Sequence, residues 1–387
     1  MLRCVRRNPE FMRQVPSVDH RPIPAGTDSG DEELTNKFRL LKVLFVTNMY
    51  PCVDYPAWGV FVKHQADCLR ELGHQVDVLH VLGRRSKFRY VTAAPVVLAR
   101  TLKGGYDIVH AHYGLSGMPA LFRIKTPLIV TLHGDDALGQ RSVLAISRIV
   151  CLLADEVISV SEEVAAKIPG EVIPCGVDLE IFRPLGRIES RIKLGLPVAS
   201  KLILFPFDRN KRKKRYDLAK RAVDELISQR YPCRLLHVYG VTHEEMPLYY
   251  NAADVMLLCS DREGSPVSLK EALACNTPVV STDVGDAREI VRGVKGARIC
   301  EQTVNHLADA LKDVLWGDTD EDLNGHLAME RYNSRYTASR IVAVYRKVLQ
   351  RSRREHILAR RAELKQKTIL KRKQCTATIT NGAEIIS

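Results

Sequence analysis

Residues 42–81 read KVLFVTNMYPCVDYPAWGVFVKHQADCLRELGHQVDVLHV. The first six residues are a short β-branched run of strand length, and 76–81 is a second. Between them a Pro-containing loop leads into a helix at 60–72, which Gly73-His74 stops. This is a β-α-β unit, and the pattern continues outward from it. Strands are expected at 108–110, 128–132 and 156–160, with an apolar helix at 143–153, so alternation predicts a parallel sheet. A second series follows: strand 202–206, helix 216–230, strand 234–239, helix 244–253, strand 255–260, helix 266–275 and strand 278–282. The expected fold class is therefore α/β, with two Rossmann-like doubly wound domains facing an interdomain cleft at the carboxyl ends of both sheets. The boundaries expected are a leader at 1–37, a first domain at 38–184, a second at 185–335, a helix at 336–350 that crosses back to the first domain, and a basic tail at 351–387.

Length and composition agree with two cores. The chain has 387 residues, 45% hydrophobic and 27% charged, too many for one ordinary α/β core. No apolar run approaches the roughly 18–20 residues a membrane span needs, and 1–37 is polar without an apolar signal-peptide core. The expectation is a cytoplasmic protein, peripheral at most on the inner face of the cell membrane. The ten cysteines are scattered without zinc-knuckle or redox spacing and read as reduced thiols. A net charge of +13 implies an anionic partner, but its distribution matters more. Between Arg351 and Lys373 ten Lys and Arg stand against Glu355 and Glu363 alone. That tail, and a second basic cluster with aromatics at Arg84-Arg85-Ser86-Lys87-Phe88-Arg89-Tyr90, suit an anionic membrane surface or simple solvation.

The most specific motif is Glu263-Gly264-Ser265-Pro266-Val267-Ser268-Leu269-Lys270-Glu271, between a strand and the following helix. Gly264 lets backbone approach a ligand, Pro266 suits a first helical turn, and the exposed amides of that turn make an anion site. Glu263 and Glu271 are too far apart on the chain to act as an acid–base pair on one turn, and read better as acceptors for two hydroxyl-bearing parts of one ligand. The cations of 209–215, after the first strand of the second series, would sit at the cleft and neutralise a diphosphate. His133, in Thr131-Leu132-His133-Gly134-Asp135-Asp136, closes a strand and faces the cleft. Gly59 opens the first helix, where amides can reach a phosphate. His110-Ala111-His112 places two imidazoles on one strand face, with no obvious third ligand, and no metal is expected. Asp318-Thr319-Asp320 spells a DxD, but in an acidic loop away from any strand end, where chance is the better explanation.

The E-x7-E spacing, the Gly after the first Glu and the stretch TPVVSTDVGDAREIV that follows resemble the donor site of glycosyltransferase family 4, the retaining group 1 enzymes of GT-B fold. The resemblance extends over about 42–350 and includes Val172-Ile173-Pro174-Cys175-Gly176-Val177-Asp178. It implies catalytic roles for His133 and Glu263, with Glu263 on the donor sugar. It implies donor binding by Gly59, Arg209, Lys214, Gly264, Ser265, Pro266, Val267, Ser268 and Glu271, the last on the nucleotide ribose. Arg209 and Lys214 correspond to the family's Arg and the Lys five residues later, and Arg215 stands where a Gly usually follows that Lys. Many relatives carry two glycines where only Gly59 stands here. The G-x-F-V form of that loop resembles a branch making envelope polysaccharides such as teichuronic acid. The implied reaction moves a sugar from a nucleotide-diphosphate sugar to a glycan or lipid-linked acceptor with retention, without a cofactor or essential metal. With no well-placed carboxylate nucleophile, same-face attack assisted by the leaving phosphate fits better than a covalent intermediate. Two other readings stay open: a sugar-nucleotide epimerase of similar architecture, and a basic protein binding membrane or nucleic-acid surfaces. Against specific nucleic-acid binding, most of the excess charge lies in the tail and no RNA-binding aromatic motif is present.

Overall fold

Period-two burial along the first strand organises the first half of the molecule. In β1 (Lys42–Thr47), Val43 and Phe45 face one hydrophobic cluster while Leu44 and Val46 face another, so the sheet carries a core on each side. The computed structural model describes residues 39–317 and 322–381; the leader at 1–37, Asp318-Thr319-Asp320 and 382–387 lie outside the described residues. β1 is joined by β2 (Gln75–His80), β3 (Ile108–His112), β4 (Leu128–Leu132), β5 (Glu156–Ser159) and β6 (Glu171–Val172) in a parallel sheet of order β2-β1-β3-β4-β5-β6. Helix α1 (Val60–Glu71) covers one side. On the other lie α2 (Phe88–Gly104), α3 (Gly114–Ala120) and α4 (Arg141–Leu152).

After the short helix α5 (Arg187–Lys193), the second sheet is built from β7 (Lys201–Phe205), β8 (Cys233–His237), β9 (Val255–Leu258), β10 (Val279–Thr282) and β11 (Ala297–Cys300). Its order is β11-β10-β9-β7-β8, again parallel. Helices α6 (Tyr216–Ser228), α7 (Met246–Ala252), α8 (Val267–Ala274) and α9 (Val304–Trp316) flank it. The last helix, α10 (Ser334–Asn381), returns to the first half. There Ala338, Ile341, Val342, Tyr345 and Val348 complete the core beneath β1 and β3.

The structure departs from the sequence reading in several places, α3 and α5 among them. The expected strands are present, but β6 and β11, both at sheet edges, were not anticipated. Residues 88–104, of which the sequence reading had only the end of the basic cluster at 84–90, form a helix despite Pro95 inside it. Pro95 lies on the exposed side, as does Val91, whose carbonyl loses its helical donor at Pro95. Helix α9 was likewise not anticipated. Finally, the crossing helix does not stop at 350: residues 351–381 contain no Pro or Gly, and the helix runs unbroken to Asn381.

Arg191 of α5 ties the linker to the second domain. Buried, it donates to the carbonyls of Ala252 at 2.8 Å, Val198 at 2.6 Å and Ser200 at 3.0 Å, and pairs with Asp254 at 2.5 Å. Asp254 in turn accepts from the Leu202 amide at 2.7 Å, anchoring the start of β7. Arg191→Ala should strand three carbonyls and leave buried Asp254 only Arg187 and the Leu202 amide, lowering the stability by about 3–5 kcal/mol, read as a drop in the urea midpoint at unchanged m-value.

Candidate functional site

The two halves meet through glycines. A Cβ on Gly264 would fall 2.2 Å from the His133 carbonyl, and within the second half one on Gly285 would fall 2.5 Å from the Gly264 carbonyl. Gly134, at φ +111°, approaches Gly264 so closely that a Cβ there would lie 2.7 Å from its Cα. Three contacts flank this seam: Lys213 Nζ meets Asp135 at 2.5 Å, Arg262 meets Asp135 at 3.2 Å, and the Gly285 amide donates to Glu163 at 3.0 Å. Beside it opens a cleft of about 340 Å³, lined from the first half by Gly59, Phe61, His64 and His133. From the second half come Phe207, Lys211, Lys214, His243, Tyr250, residues 263–268 and Glu271. It is large enough to take much of a nucleotide-sized ligand.

Of the residues expected at the site, ten line this cleft: Gly59, His133, Lys214, Glu263, Gly264, Ser265, Pro266, Val267, Ser268 and Glu271. Arg209 does not; it is exposed and absent from the lining. The cation that lines the cleft with Lys214 is Lys211, three residues before it. The intervening 3-10 turn (Arg212–Lys214) explains the choice, because three residues per turn put i and i+3 on one side. That spacing was the signal available in the sequence. Lys213 points instead to Asp135, whereas Lys214 pairs with Glu263 and lies 4.1 Å from the Phe207 ring centroid. Arg215 has φ +55°, a left-handed conformation natural to Gly, which accounts for the usual residue at this position in the resembling family. Its guanidinium pairs with Asp217 at 3.2 Å and Asp261 at 3.1 Å.

Environment sorts the carboxylates. Burial pushes Glu263 up, but Lys214 and Lys213 outweigh it and hold its carboxyl below the usual range. Burial raises Glu271, against the opposing influence of His243 and of the Tyr250 hydroxyl, which donates to it at 2.8 Å. Lys270, fully buried, donates to Ser265 Oγ at 2.5 Å and to the Cys175 carbonyl at 2.8 Å, with Asp286 at 3.6 Å. Ser265 donates to Asp286 at 2.8 Å, so the loop that carries Glu263 is clamped from beneath and tied to the interdomain segment. Tyr250, Lys270 and Asp286 escape sequence reading because the contacts that define them span up to 95 residues.

His133 is held by Asp136, which accepts from the amides of His133 at 3.0 Å, Gly134 at 2.9 Å and Gly114 at 3.1 Å. Its ring meets His112 at 3.1 Å. His110 bonds the Tyr345 hydroxyl and Thr131, each at 2.7 Å, linking the returning helix to the strands behind the site. Among the described residues no group of three or more His, Cys, Asp or Glu converges as a metal site.

Two family models match the chain: Glycosyltransferase Family 4 over residues 59–181 and Glycosyl transferases group 1 over 208–316. D-inositol 3-phosphate glycosyltransferase of Mycobacterium tuberculosis is 30% identical over 264 residues, 55% of this chain and 54% of that protein. The chain thus spans about half the length of the curated relatives it matches. Among solved structures, sucrose-phosphate synthase of Thermosynechococcus elongatus superposes with a TM-score of 0.67 at 20% identity, over 81% of this chain and all of that one. Anabaena HepE, solved with UDP and glucose, superposes at 0.58 with 16% identity, over 79% and 99%. The architecture is the GT-B fold. The first α/β half thus carries a Glycosyltransferase Family 4 domain and the second a Glycosyl transferases group 1 domain.

The imidazoles behind the cleft make stability depend on pH. Burial drives His110 and His133 down to about 3 and His112 well below its ordinary value, with neighbouring imidazoles reinforcing the effect in His110 and His112. An unfolded chain protonates these rings near pH 6.5, so below that it binds protons the native state refuses. Stability complete above pH 6.5 should therefore fall as pH drops toward 3, by up to about 1.4 kcal/mol per pH unit for each ring. Urea midpoints between pH 7.5 and 5 measure the slope, and His110→Gln should flatten it.

Proposed function

We propose that this protein is a retaining glycosyltransferase that moves a sugar from a nucleotide-diphosphate sugar onto a glycan or lipid-linked glycan of the cell envelope. The observation that carries the reading is the Lys214–Glu263 pair inside a cleft built from the carboxyl ends of two parallel sheets. The two matched family domains and the cleft's two-sided lining support it, and Anabaena HepE is a structure of the same fold solved with UDP and with glucose.

In this reading the diphosphate lies against Lys214, Lys211 and the amides at the start of α8, with Gly59 facing it from the first half. These charges are fixed before the ligand arrives, so little reorganisation is needed as the diphosphate departs. Glu263 exchanges part of its bond with Lys214 for donor-sugar hydroxyls. Glu271, braced by Tyr250, accepts from the ribose. His133, kept neutral by burial, faces the sugar as a hydrogen-bonding group rather than a cation. No metal is required, because lysines and amides take the leaving-group charge. The acceptor hydroxyl attacks from the face the diphosphate leaves, the bond from the anomeric carbon to the phosphate oxygen breaks, that oxygen takes the hydroxyl proton, and the anomeric configuration is retained.

The same reading puts the protein in the cytoplasm, held to the inner face of the membrane in part by its basic tail. The form of the Gly59 loop favours an envelope polysaccharide of the teichuronic-acid type.

Thermal unfolding with UDP, GDP, ADP and CMP tests donor recognition. One diphosphate should raise the stability by about 2.7 kcal/mol at a hundredfold excess over its dissociation constant. Glu271→Gln should weaken that nucleotide about tenfold, the loss of one buried acceptor to a hydroxyl. Lys214→Ala should cut kcat/KM for transfer by roughly 10²–10³. Anomeric configuration read by NMR decides retention. No shift with any nucleotide would overturn the proposal, and turnover of the nucleotide sugar without an acceptor would favour an epimerase.

A further inference from the structure

Helices α2, α3 and α4 form a single layer on one side of the first sheet, packed side by side. Their inner residues, among them Tyr90, Val97 and Val150, are core. The outward side of such a layer is normally polar, and here it is not. Phe88 is 67% exposed, Leu102 62% and Leu152 84%, and Val91, Ile149 and Leu153 are exposed with them. Single exposed apolar residues are ordinary; a set on two helices of one layer is not.

The loop after α3 draws this set together. The Ile124 amide donates to Thr101 Oγ1 at 3.3 Å, near the end of α2, and Arg123 donates to the Leu153 carbonyl at 3.3 Å and to Asp155 at 3.0 Å, at the end of α4. Phe122 and Ile124, both exposed, therefore sit between Leu102 on one side and Leu152 and Leu153 on the other. Cations rim the layer: Arg84, Lys87, Arg89, Lys103, Arg141 and Arg148 are all exposed. From Arg84 to Ala154 the carboxylates are only Asp107, Asp135 and Asp136. Each is engaged elsewhere, Asp107 with the Lys42 amide, Asp135 with Lys213 and Asp136 buried behind His133.

The returning helix leaves the domain at the same corner. Arg351 donates to the Asp155 carbonyl, and Lys347 pairs with Glu156 at 3.3 Å, so the Arg- and Lys-rich part of α10 departs from beside Leu152 and Leu153. We propose that the outer face of α2, α3 and α4 docks on an anionic lipid bilayer, its apolar side chains entering the acyl boundary and its cations meeting lipid phosphates. This assigns membrane contact to the first domain itself, in addition to the tail, and does not depend on the sugar-transfer reading. A second copy of the chain suits the face poorly, because a two-fold contact would bring like charges together. Phe88, at the start of α2, lies close along the chain to Arg84, which stacks on Trp58 of the cleft wall at 4.3 Å, so docking would hold the cleft mouth near the headgroups.

Flotation of the full-length chain with large unilamellar vesicles tests this, comparing phosphatidylcholine alone with phosphatidylcholine carrying about one-third phosphatidylglycerol. The native chain should float only with the anionic vesicles and remain partly bound in high salt. The variant Leu102→Ser, Phe122→Ser, Leu152→Ser should lose partitioning by about tenfold or more and all salt-resistant binding. Arg89→Glu, Lys103→Glu, Arg148→Glu should lose binding at low salt. Both should melt as the native chain does, since every altered side chain is exposed. Flotation of the serine variant at the native level would overturn the proposal and leave the tail as the only anchor. So would a native chain that stays unbound, or a concentration-dependent dimer that the serine variant abolishes.

Discussion

The approach of two backbones without intervening side chains governs this molecule. At Gly134 and Gly264 the first and second halves come within distances that a single methyl group would forbid, and Gly285 packs as closely on Gly264 from within the second half. That contact bears on the width of the cleft, because His133 and residues 263–268, which line it, are carried on the same loops. His133 precedes one of the three glycines and Glu263 another, so the spacing between a group from one sheet and a group from the other is fixed by main chain rather than by adjustable side chains. The Lys213–Asp135 and Glu163–Gly285 contacts hold the halves in register around it.

Around that seam, charge is sorted by burial and by partner. Asp135 is pushed up by burial, yet Lys213 and then Arg262 outweigh this and keep it ionised as an interdomain tie. Glu263 is kept ionised in the same way by Lys214, while Glu271 and Asp286, with weaker compensation, are raised by burial. The imidazoles of His110, His112 and His133 stay neutral, so the wall behind the cleft carries no positive charge to compete with the lysines for an anion. The result is a concave surface whose cations stand on one short turn and whose backbone amides face the same space.

Local patterns made much of this legible. Strand-length β-branched runs separated by helical segments specify a parallel sheet with little help from distant residues, and the loop from Glu263 to Ser268 could be placed at a strand end from its order alone. The edge strand β6, of two residues, fell below what a local pattern can signal, and β11, Ala-Arg-Ile-Cys, has only one β-branched residue to mark it. Helix α2 was hidden by Pro95, whose cost depends on whether water reaches the freed carbonyl, and that is a property of the packed layer. Arg209 was assigned from a spacing shared with relatives. The turn at 212–214 sends Lys211 into the cleft instead, and turn geometry is decided by which carbonyls and carboxylates surround it.

By itself, then, the sequence determined the two α/β halves, the cleft between them and the identity of its main loops, because periodicity, strand ends and glycine positions act over a few residues. Tertiary structure alone decided which lysine faces the cleft, the burial of Lys270 beneath Ser265, the bracing of Glu271 by Tyr250 and the chain of imidazoles reaching Tyr345. It also decided that the exposed apolar residues of α2 and α4 lie on one layer, with Arg351 of α10 reaching its corner at Asp155. These depend on contacts between residues remote in the chain, whose energies arise only once burial has removed water from both partners.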